Sequence, residues 1–309
     1  YSKVLSLALA FVMLFALCAC GAAETPAAEP TADPAADAPA SEAPAETEAP
    51  AESQGVLDQI KADGVLYVTL SPDFAPMEFV DSSKDGQEQY VGFDVTLAKY
   101  IADYIGVDLV IEPMSFDACQ TAVYTGSVPM SISGYSWTEE RGENYEISDY
   151  YYAGDNETEQ VILIKKTDAD KYTSAEDFSG VDVGAQNASL QMNLLTSQLP
   201  DANPITIGDL GVGVLELQNG SIEAPAVAKG NAEMILDSNP DLMICSWEFE
   251  VAAEYEANVI LITKGETALL NVVNEALAKA YADGLYGTWY EDAVALAKTE
   301  NAAEVSVED

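Results

Sequence analysis

The sequence predicts an α/β protein built on two sheets. Short apolar segments typical of strands alternate along the chain with longer segments that carry apolar residues at helical spacing. Strands that alternate with helices favour parallel sheets, because two parallel neighbours need a crossover connection between them. The chain has 309 residues and is 49% hydrophobic, so it is large enough to build a core around two such sheets.

The folded part begins with an amphipathic segment near 56–62, and strands and helices follow in turn. The helix over Phe93–Ile105 has apolar residues on one face, and Gly106 is placed to end it. The other predicted helices are Phe116–Tyr124 and the segments 189–199, 210–219, 231–237 and 267–282. The predicted strands are Val65–Leu70, Val107–Ile111, Val128–Ser133, Val161–Ile164, Val181–Ala185, Ile205–Ile207, Ala224–Ala228, Leu242–Cys245 and Val259–Thr263.

Charge and composition exclude several classes of function. The chain has 53 acidic and 12 basic residues, a formal charge of −41, so its surface repels the phosphates of nucleic acids. It has no histidine, which removes the usual nucleophiles activated by histidine and the metal sites that histidine forms. We therefore expect no nucleic-acid partner, no cofactor and no metal.

Residues 1–20 predict a lipoprotein signal peptide. Lys3 precedes an apolar segment from Val4 to Leu17, which is shorter than the roughly 18 apolar residues that indicate a membrane-spanning helix. The segment ends in Leu-Cys-Ala-Cys-Gly, which resembles a bacterial lipobox in which Cys20 is lipidated and becomes the mature N-terminus. An ordinary secretory signal is the alternative, and either signal predicts a protein that works outside the cell.

The following segment, 21–54, predicts a disordered tether. Between Ala22 and Gln54 it has six prolines and eight acidic residues but no aromatic and no basic residue. Such a segment cannot bury enough apolar surface to offset the entropy that ordering would cost. With a lipid on Cys20, the tether would hold the folded part at the extracellular face of the cell membrane.

Arg141 is the only arginine in the chain, and it follows the predicted strand Val128–Ser133. Loops at the carboxyl ends of parallel strands are where α/β folds bind ligands. A guanidinium group binds a carboxylate through two parallel hydrogen bonds, which a lysine cannot reproduce. The hydroxyl groups of Ser133, Ser136 and Thr138 are close by in the sequence. Arg141 is thus a candidate carboxylate clamp, and a surface ion pair with a neighbouring glutamate is the alternative.

Several short segments occur in the order and at the separations typical of one family. They are Leu57–Leu66, Ser71–Phe79, Val91–Val95, Ser115–Ala118, Ile132–Arg141, Ile147–Tyr152, Phe178–Gly184 and Ala282–Tyr286. They extend over nearly the whole of 57–290. On these segments the chain resembles the bacterial extracellular solute-binding proteins, family 3, which are type II periplasmic binding proteins that serve polar amino-acid ABC importers.

The resemblance implies a two-lobe α/β fold of the periplasmic-binding-protein-like II class, in which each lobe is a mainly parallel sheet flanked by helices. The first lobe would be 55–155 plus 258–309 and the second 156–257, joined by two hinge crossovers. Closure of the hinge on a small-molecule ligand would present the closed monomer to an ABC permease in the membrane. A disulfide between Cys119 and Cys245 would cross the moving lobes, so we expect both as buried thiols.

In the first lobe, the resemblance implies a set of polar ligand contacts around Arg141. Arg141 would bind the carboxylate of the ligand. Ser133 and Ser136 would form hydrogen bonds with its carboxylate or its ammonium group, and Gly134 would offer its backbone.

The resemblance also implies aromatic contacts and a helix N-terminus at the ligand. Phe74 and Phe116 would enclose the ligand's side chain, with ordinary core packing as the alternative. In the second lobe, Gln186 and Ser189 belong to the loop that opens a helix. Free N–H groups at that position suit a carboxylate, and Ser189 can also cap the helix by its own chemistry.

Lys229 is the largest departure from the family pattern. Amino-acid binders present an aspartate after the strand that corresponds to Ala224–Ala228, and it pairs with the α-ammonium group of the ligand. A lysine at ~4 Å from an ammonium would cost on the order of 4 kcal/mol. Three explanations stay open. The ligand is a dicarboxylate or an oxo-acid, with Lys229 as a second cation; another acid such as Asp155, Glu78 or Asp209 replaces the aspartate; or Lys229 points into solvent.

The sequence therefore predicts a binding protein and not an enzyme. It would be a lipid-anchored solute-binding protein that captures an amino acid or a related small carboxylate for an ABC importer. The alternative is an enzyme on the same fold, a relative of cyclohexadienyl dehydratase, in which a carboxylate in the cleft transfers protons.

Overall fold

The computed structural model describes residues 55–152, 159–255 and 257–307, which belong to one compact unit of the chain. The predicted signal peptide, the lipidation site at Cys20 and the tether 21–54 lie outside the described residues. Within the described ranges, no helix combines the length and the hydrophobicity that crossing a membrane requires.

Helices and strands alternate through most of the described chain. The strands are β1 (Val65–Leu70), β2 (Asp73–Phe74), β3 (Glu78–Val80), β4 (Tyr90–Val91), β5 (Asp108–Pro113), β6 (Met130–Ser136), β7 (Glu146–Ile147), β8 (Gln160–Lys165), β9 (Asp182–Gln186), β10 (Asn203–Ile207), β11 (Ala224–Ala228), β12 (Leu242–Ile244) and β13 (Asn258–Ile262). The α-helices are α1 (Val56–Asp63), α2 (Phe93–Ile105), α3 (Phe116–Tyr124), α4 (Glu139–Asn144), α5 (Leu190–Gln198), α6 (Leu210–Asn219), α7 (Lys229–Ser238), α8 (Thr267–Ala282) and α9 (Leu285–Val307).

Two five-stranded sheets form the frame, one in each lobe. The strand order is β5-β1-β6-β13-β7 in the first lobe and β10-β9-β11-β8-β12 in the second. In the first sheet β13 pairs antiparallel with both its neighbours, and in the second β8 does the same. The other strands of each sheet run in one direction, since β1 is parallel to β5 and β6, and β9 is parallel to β10 and β11. Each lobe is therefore mainly parallel with one reversed strand, as the two-lobe prediction requires.

The reversed strands are those that enter each sheet after the chain has crossed from the other lobe. The two crossovers run side by side, because Tyr151 forms an antiparallel bridge with Asn258 and its N–H donates to the Asn258 carbonyl at 2.9 Å. The proposed lobe boundary at 155–156 lies outside the described residues, so the exact division of the lobes stays a prediction.

The core of the first lobe lies between its sheet and helices α2 and α8. Phe93, Leu97 and Ile101 of α2 are fully buried, and so is Val273 of α8. Each buried side chain of this size contributes about 1.5–3 kcal/mol relative to an exposed one. The predicted stripe of apolar residues on α2 is thus the face that packs on the sheet, and Gly106 ends the helix in a left-handed conformation as predicted.

The structure adds elements that the sequence did not predict. The short strands β2, β3 and β4 form a small separate sheet beside the first lobe, and α9 extends the chain beyond the predicted helices. Strand β6 continues to Ser136, three residues beyond its predicted end, because β13 pairs with this extension. Cys119 and Cys245 are buried free thiols as expected, although Cys245 follows strand β12 instead of lying in it.

Candidate functional site

A cleft between the two lobes encloses about 620 Å³ of space that no protein atom fills, including its opening to solvent. Small-molecule sites occur preferentially between domains, as this cleft does. Both lobes contribute to its walls. The predicted site residues that line it are Phe74, Phe116, Ser133, Gly134, Ser136, Arg141 and Gln186. The two that do not line it are Ser189 and Lys229.

Arg141 is held at the cleft by three hydrogen bonds. Its Nη1 donates to the Ser136 carbonyl at 2.6 Å, its Nη2 to the Ala188 carbonyl at 2.8 Å and its Nε to Gln120 Oε1 at 3.3 Å. A guanidinium has five N–H groups, so these contacts leave one on each of the terminal nitrogens. That is the number needed to bind a carboxylate through two parallel hydrogen bonds.

The alternative of a surface ion pair does not describe Arg141. Its side chain is 4% exposed, and it forms no ion pair with any carboxylate of the described residues. Its guanidinium carbon lies 5.1 Å from the ring centre of Tyr135 and 5.8 Å from that of Phe116. Burial lowers the pKa of Arg141, and these aromatic faces stabilise its charge. A buried cation without a carboxylate partner is well placed for an anionic ligand.

Gly134 and Phe74 form one wall of the cleft together. Gly134 has φ of +55°, and a Cβ atom at this position would lie 2.8 Å from Phe74 Cε1. The glycine therefore lets the aromatic ring approach the backbone of β6. Phe116 lies close to Tyr135, with ring centres 5.0 Å apart. Both phenylalanines thus combine a packing role with a position at the cavity.

The polar groups of Ser133 and Gly134 already have partners within the first lobe. The Ser133 hydroxyl donates to Glu78 Oε1 at 2.5 Å and accepts from the Ser71 N–H at 3.0 Å. The Gly134 N–H donates to Asp94 Oδ2 at 2.9 Å. Ser133 can therefore offer a ligand an acceptor but no proton, and Gly134 can offer only its carbonyl.

Asp73 joins the two lobes across the cleft. Its Oδ2 accepts from Gln186 Nε2 at 2.9 Å and from the Leu210 N–H at 2.8 Å, both in the second lobe. Its Oδ1 accepts from the Ser71 hydroxyl at 2.7 Å. Burial raises the pKa of Asp73 despite these hydrogen bonds. Asp73 was not predicted as a site residue, although its place just after the carboxyl end of β1 points to ligand binding.

Gln186, the last residue of β9, and Ser189, the N-cap of α5, flank the second-lobe loop that faces Arg141. Gln186 lines the cavity and donates to Asp73. The Ser189 hydroxyl accepts from the Met192 N–H at 3.0 Å, so it caps α5, as its chemistry predicted. Between them, the Ala188 carbonyl accepts from Arg141, which ties this loop to the first lobe.

Lys229 lies away from the cavity. Its Nζ is 2.6 Å from Glu159 Oε2, and the residue before it, Ala228, lines the cavity instead. Of the acids considered as replacements for the missing aspartate, Glu78 lines the cavity, whereas Asp209 caps α6 by accepting from the Val212 N–H. The third, Asp155, lies outside the described residues.

Two amides beside the crossovers were not predicted from the sequence. Gln160 at the start of β8 and Asn258 at the start of β13 both line the cavity. Asn258 is buried, and its Nδ2 has no acceptor among the described residues. A buried amide donor without a partner is costly, so a ligand oxygen that accepts from it would be stabilised.

The comparison with family models decides what kind of protein this is. The model of the bacterial extracellular solute-binding proteins, family 3, matches residues 66–293. The chain belongs to this family. The resemblance seen in the sequence is thereby confirmed, and the cleft of this family 3 protein lies within the matched residues.

Similar proteins are amino-acid binders of ABC transporters. This family 3 protein is 26% identical over 223 residues to a probable histidine-binding protein of Campylobacter jejuni, covering 72% of this chain and 82% of that protein. It is 31% identical to the structure of an amino acid ABC transporter substrate-binding protein from Streptococcus pneumoniae bound to L-arginine, with a TM-score of 0.70, covering 78% and 98% of the two chains. An ancestral amino acid-binding protein, described as a precursor of cyclohexadienyl dehydratase, is 29% identical with a TM-score of 0.66, covering 77% and 98%.

Proposed function

We propose that this family 3 protein captures an amino acid outside the cell and delivers it to an ABC importer. The observation that carries the proposal is Arg141, a buried cation at the cleft between two lobes with two N–H groups left for a carboxylate. Closure of the lobes around the bound ligand would create the form that a permease recognises.

The charges of the cavity favour a ligand that carries both signs. Among the described residues that line the cavity, Arg141 is the cation, while Asp73 and Glu78 are acids. A dicarboxylate would need a second cation, and Lys229 is paired with Glu159 outside the cavity. An oxo-acid with one carboxylate would bring no positive group to the two acids. An amino acid, with its carboxylate at Arg141 and a positive group near the acids, suits these charges better.

L-arginine is the first ligand to test. The Streptococcus pneumoniae relative was solved with L-arginine, which has a carboxylate and two positive groups. The cavity offers one cation for the carboxylate and two acids for the two positive groups. The relative from Campylobacter jejuni makes L-histidine the second ligand of a test panel.

The anchor belongs to the same proposal. A signal peptide over 1–20, a lipid on Cys20 and the tether 21–54 would hold a monomer at the extracellular face of the membrane. Replacement of Cys20 by serine should release the protein from membrane fractions into the medium. Retention of the variant in the membrane at the wild-type level would contradict lipid anchoring at this residue.

The test of the binding function is a thermal-shift panel of the purified protein with amino acids and their deaminated analogues. We expect stabilisation by at least one amino acid, with an increase in Tm that grows with ligand concentration. Arg141→Lys should eliminate most of this shift, because a lysine lacks the planar pair of donors. The Tm of the ligand-free variant serves as the control for folding. Undiminished stabilisation of the variant would contradict the role of Arg141.

A dehydratase on the same fold is the second candidate, and one observation favours it. Glu78 is a buried carboxyl group at the cavity, and burial raises its pKa, as a general acid requires. The ancestral relative is described as a precursor of such an enzyme. Incubation with prephenate and arogenate separates the two functions. Product formation that Glu78→Gln abolishes would favour the enzyme, and binding without turnover would favour the transport protein.

A further inference from the structure

Glu78 and Asp94 form a buried pair of carboxyl groups beside the cavity. Both side chains are 0% exposed, and the two carboxyl groups lie within hydrogen-bonding contact. Glu78 lines the cavity and comes from β3, while Asp94 comes from the first turn of α2. One oxygen of each, Glu78 Oε2 and Asp94 Oδ1, has no hydrogen-bond donor among the described residues.

The remaining oxygens of the pair show which group holds a proton. Asp94 Oδ2 accepts from the Gly134 N–H at 2.9 Å and from the Tyr151 hydroxyl at 3.0 Å. Glu78 Oε1 accepts from the Ser133 hydroxyl alone, at 2.5 Å. Because Asp94 has more donors, it is the better carboxylate, and a proton on Glu78 Oε2 would satisfy both unpartnered oxygens at once.

The groups around the pair favour this shared proton. Burial and the charges of Asp94 and Asp73 raise the pKa of Glu78 well above its usual range, and burial raises the pKa of Asp94 to about 7. The other titratable neighbours are Tyr151 and Tyr135, whose own pKa values burial raises well above the usual value, so both are neutral phenols. Neither carboxyl group forms an ion pair with a cation of the described residues.

The pair lies on the acidic side of a cleft whose cation is Arg141. Ser133, which lines the cavity beside Glu78, presents an acceptor because its own proton is given to Glu78. Ala228, at the end of β11, brings no charge to the opposite wall. A positive group of a ligand therefore meets carboxyl groups of the first lobe, Glu78 and Asp73, instead of an acid from the second lobe.

We propose that Glu78 receives a positively charged group of the ligand and that the proton shared with Asp94 is released to solvent when that group binds. The inference rests on the proposed function and narrows its ligand to a zwitterionic or cationic amino acid. In the free protein, the proton neutralises one of the two carboxylates. In the complex, the positive group of the ligand takes the place of that proton, so the net charge of the buried cluster does not change. Binding is then stronger at higher pH, where the proton is already lost.

The test is calorimetric titration of the full-length protein with L-arginine, L-glutamine and L-alanine at about pH 6, in two buffers with different ionisation enthalpies. The groups of these three amino acids do not titrate between about pH 6 and 8, so any proton exchange belongs to the protein. For the amino acid that binds, we expect release of up to one proton at pH 6. Its affinity should rise by up to about tenfold per pH unit in the range where the proton is released.

The substitution Glu78→Gln removes the titratable proton and keeps the hydrogen bonds of the side chain. The glutamine amide can donate to Asp94 Oδ1, and its oxygen can still accept from the Ser133 hydroxyl, so the variant copies the protonated glutamate and should fold. We expect it to abolish proton release and to weaken binding of the amino acid at least tenfold. The matched control is Glu159→Gln, since Glu159 pairs with Lys229 outside the cavity, and it should leave both quantities unchanged.

The outcomes distinguish this inference from the proposed function. Binding of an amino acid with no proton exchange at pH 6, or with equal proton release in Glu78→Gln, would overturn the inference and leave amino-acid binding intact. Binding of 2-oxoglutarate or succinate in place of all three amino acids would also overturn it, because neither has a positive group. Failure of these titrants and of every amino acid in the thermal-shift panel to bind would overturn both proposals.

Discussion

The polar residues at the cavity differ in what they have left to offer a ligand. Arg141 keeps two N–H groups, so it can bind a carboxylate without breaking its contacts to Ser136 and Ala188. Ser133 has given its proton to Glu78 and can only accept. In the proposed complex these hydrogen bonds would orient an amino acid in one direction, with its carboxylate at Arg141 and a positive group towards Glu78.

Raising the pH through about 7 should destabilise the free protein through its buried carboxyl pair. Burial raises the pKa of Asp94 to about 7 and that of Glu78 well above its usual range, whereas in the unfolded chain both groups lose their protons at about pH 4. The folded state therefore binds more protons between these limits. Each extra proton lowers the free energy of unfolding by about 1.4 kcal/mol per pH unit as the pH rises.

Urea unfolding of the ligand-free protein at about pH 5.5 and 7.5 measures this dependence. Glu78→Gln keeps the hydrogen bonds but holds no titratable proton, so its stability should fall less between the two pH values than that of the wild type. Equal losses in the two proteins would show that the pair does not share a proton in the folded state.

Gly134→Ala should damage both stability and binding. The backbone at this position is in the left-handed region, and the new Cβ atom would lie 2.8 Å from the ring of Phe74. Strain of this kind costs on the order of 1–3 kcal/mol, and displacement of the ring would change the cavity wall. Thermal unfolding and ligand titration measure the two effects. Gly287→Ala is the matched control, because it lies in α9 with no atom within 4 Å of its Cβ position, and its effect should be small.

At the scale of elements, the end of β11 determines which side chain lines the cavity. Ala228 is the last residue of the strand and lines the cavity, while Lys229 begins α7 and pairs with Glu159. Successive side chains at this point face different sides. A shift of the alignment by one residue would therefore place a lysine at the cavity where the structure has an alanine. The resemblance to the family predicted Lys229 at this position of the cleft. In the structure its neighbour Ala228 lines the cavity instead.

Lys229→Asp should therefore leave ligand affinity unchanged within about twofold, and loss of the exposed ion pair should change stability by less than about 1 kcal/mol. Ala228→Asp is the matched variant, because it places a carboxylate inside the cavity, and it should alter affinity by tenfold or more. Calorimetric titration of both variants with the same amino acid compares them. A large change in affinity for Lys229→Asp, with none for Ala228→Asp, would contradict the placement of Ala228 at the cavity and of Lys229 outside it.

The elements that could be predicted are those with a repeating pattern. The apolar face of α2 and the segment that forms α8 carry helical spacing over 13 and 16 residues, and both were predicted. Strands β2, β3 and β4 have two or three residues each, which is too short for any period to be seen. They form because Phe79 pairs with Asp73 on one side and Val91 on the other, a pairing that only the folded chain reveals.

In the candidate site too, the residues that could be predicted are those with a local signal in the sequence. Arg141 could be found because its residue type, its rarity and its place after a strand each point to anion binding. Asp73 meets Gln186 across 113 residues of sequence, and Asn258 reaches the cavity from a separate crossover. No local pattern records such contacts, so they required the structure.

At the scale of the whole molecule, the lobes are joined by direct contacts across the cleft. Asp73 accepts from Gln186 and Leu210, Arg141 donates to Ala188, and Asn187 Nδ2 donates to Asp117 Oδ2 at 3.3 Å. Helix α9 packs against α7 on another side. These contacts of the protein itself would add to those of a bound ligand in stabilising the closed arrangement.

Asp73→Ala should shift the ligand-free protein towards an open form. The substitution removes two hydrogen bonds to the second lobe, and hydrogen bonds to a charged group contribute about 1.5–3 kcal/mol each. Small-angle X-ray scattering should show a larger radius of gyration than for the wild type without ligand. Asp209→Ala is the control, because Asp209 caps α6 within one lobe, and it should leave the radius unchanged. An unchanged radius for Asp73→Ala would indicate that these bonds do not hold the lobes together.

The central claim is that Arg141 binds the carboxylate of an amino acid between the two lobes. A crystal structure of the protein with the amino acid that gives the largest thermal shift tests it most directly. We predict that the carboxylate oxygens lie within about 3.2 Å of Arg141 Nη1 and Nη2, with a positive group of the ligand at a similar distance from Glu78 or Asp73. A ligand whose carboxylate is bound elsewhere, with Arg141 contacting only protein atoms, would contradict the claim.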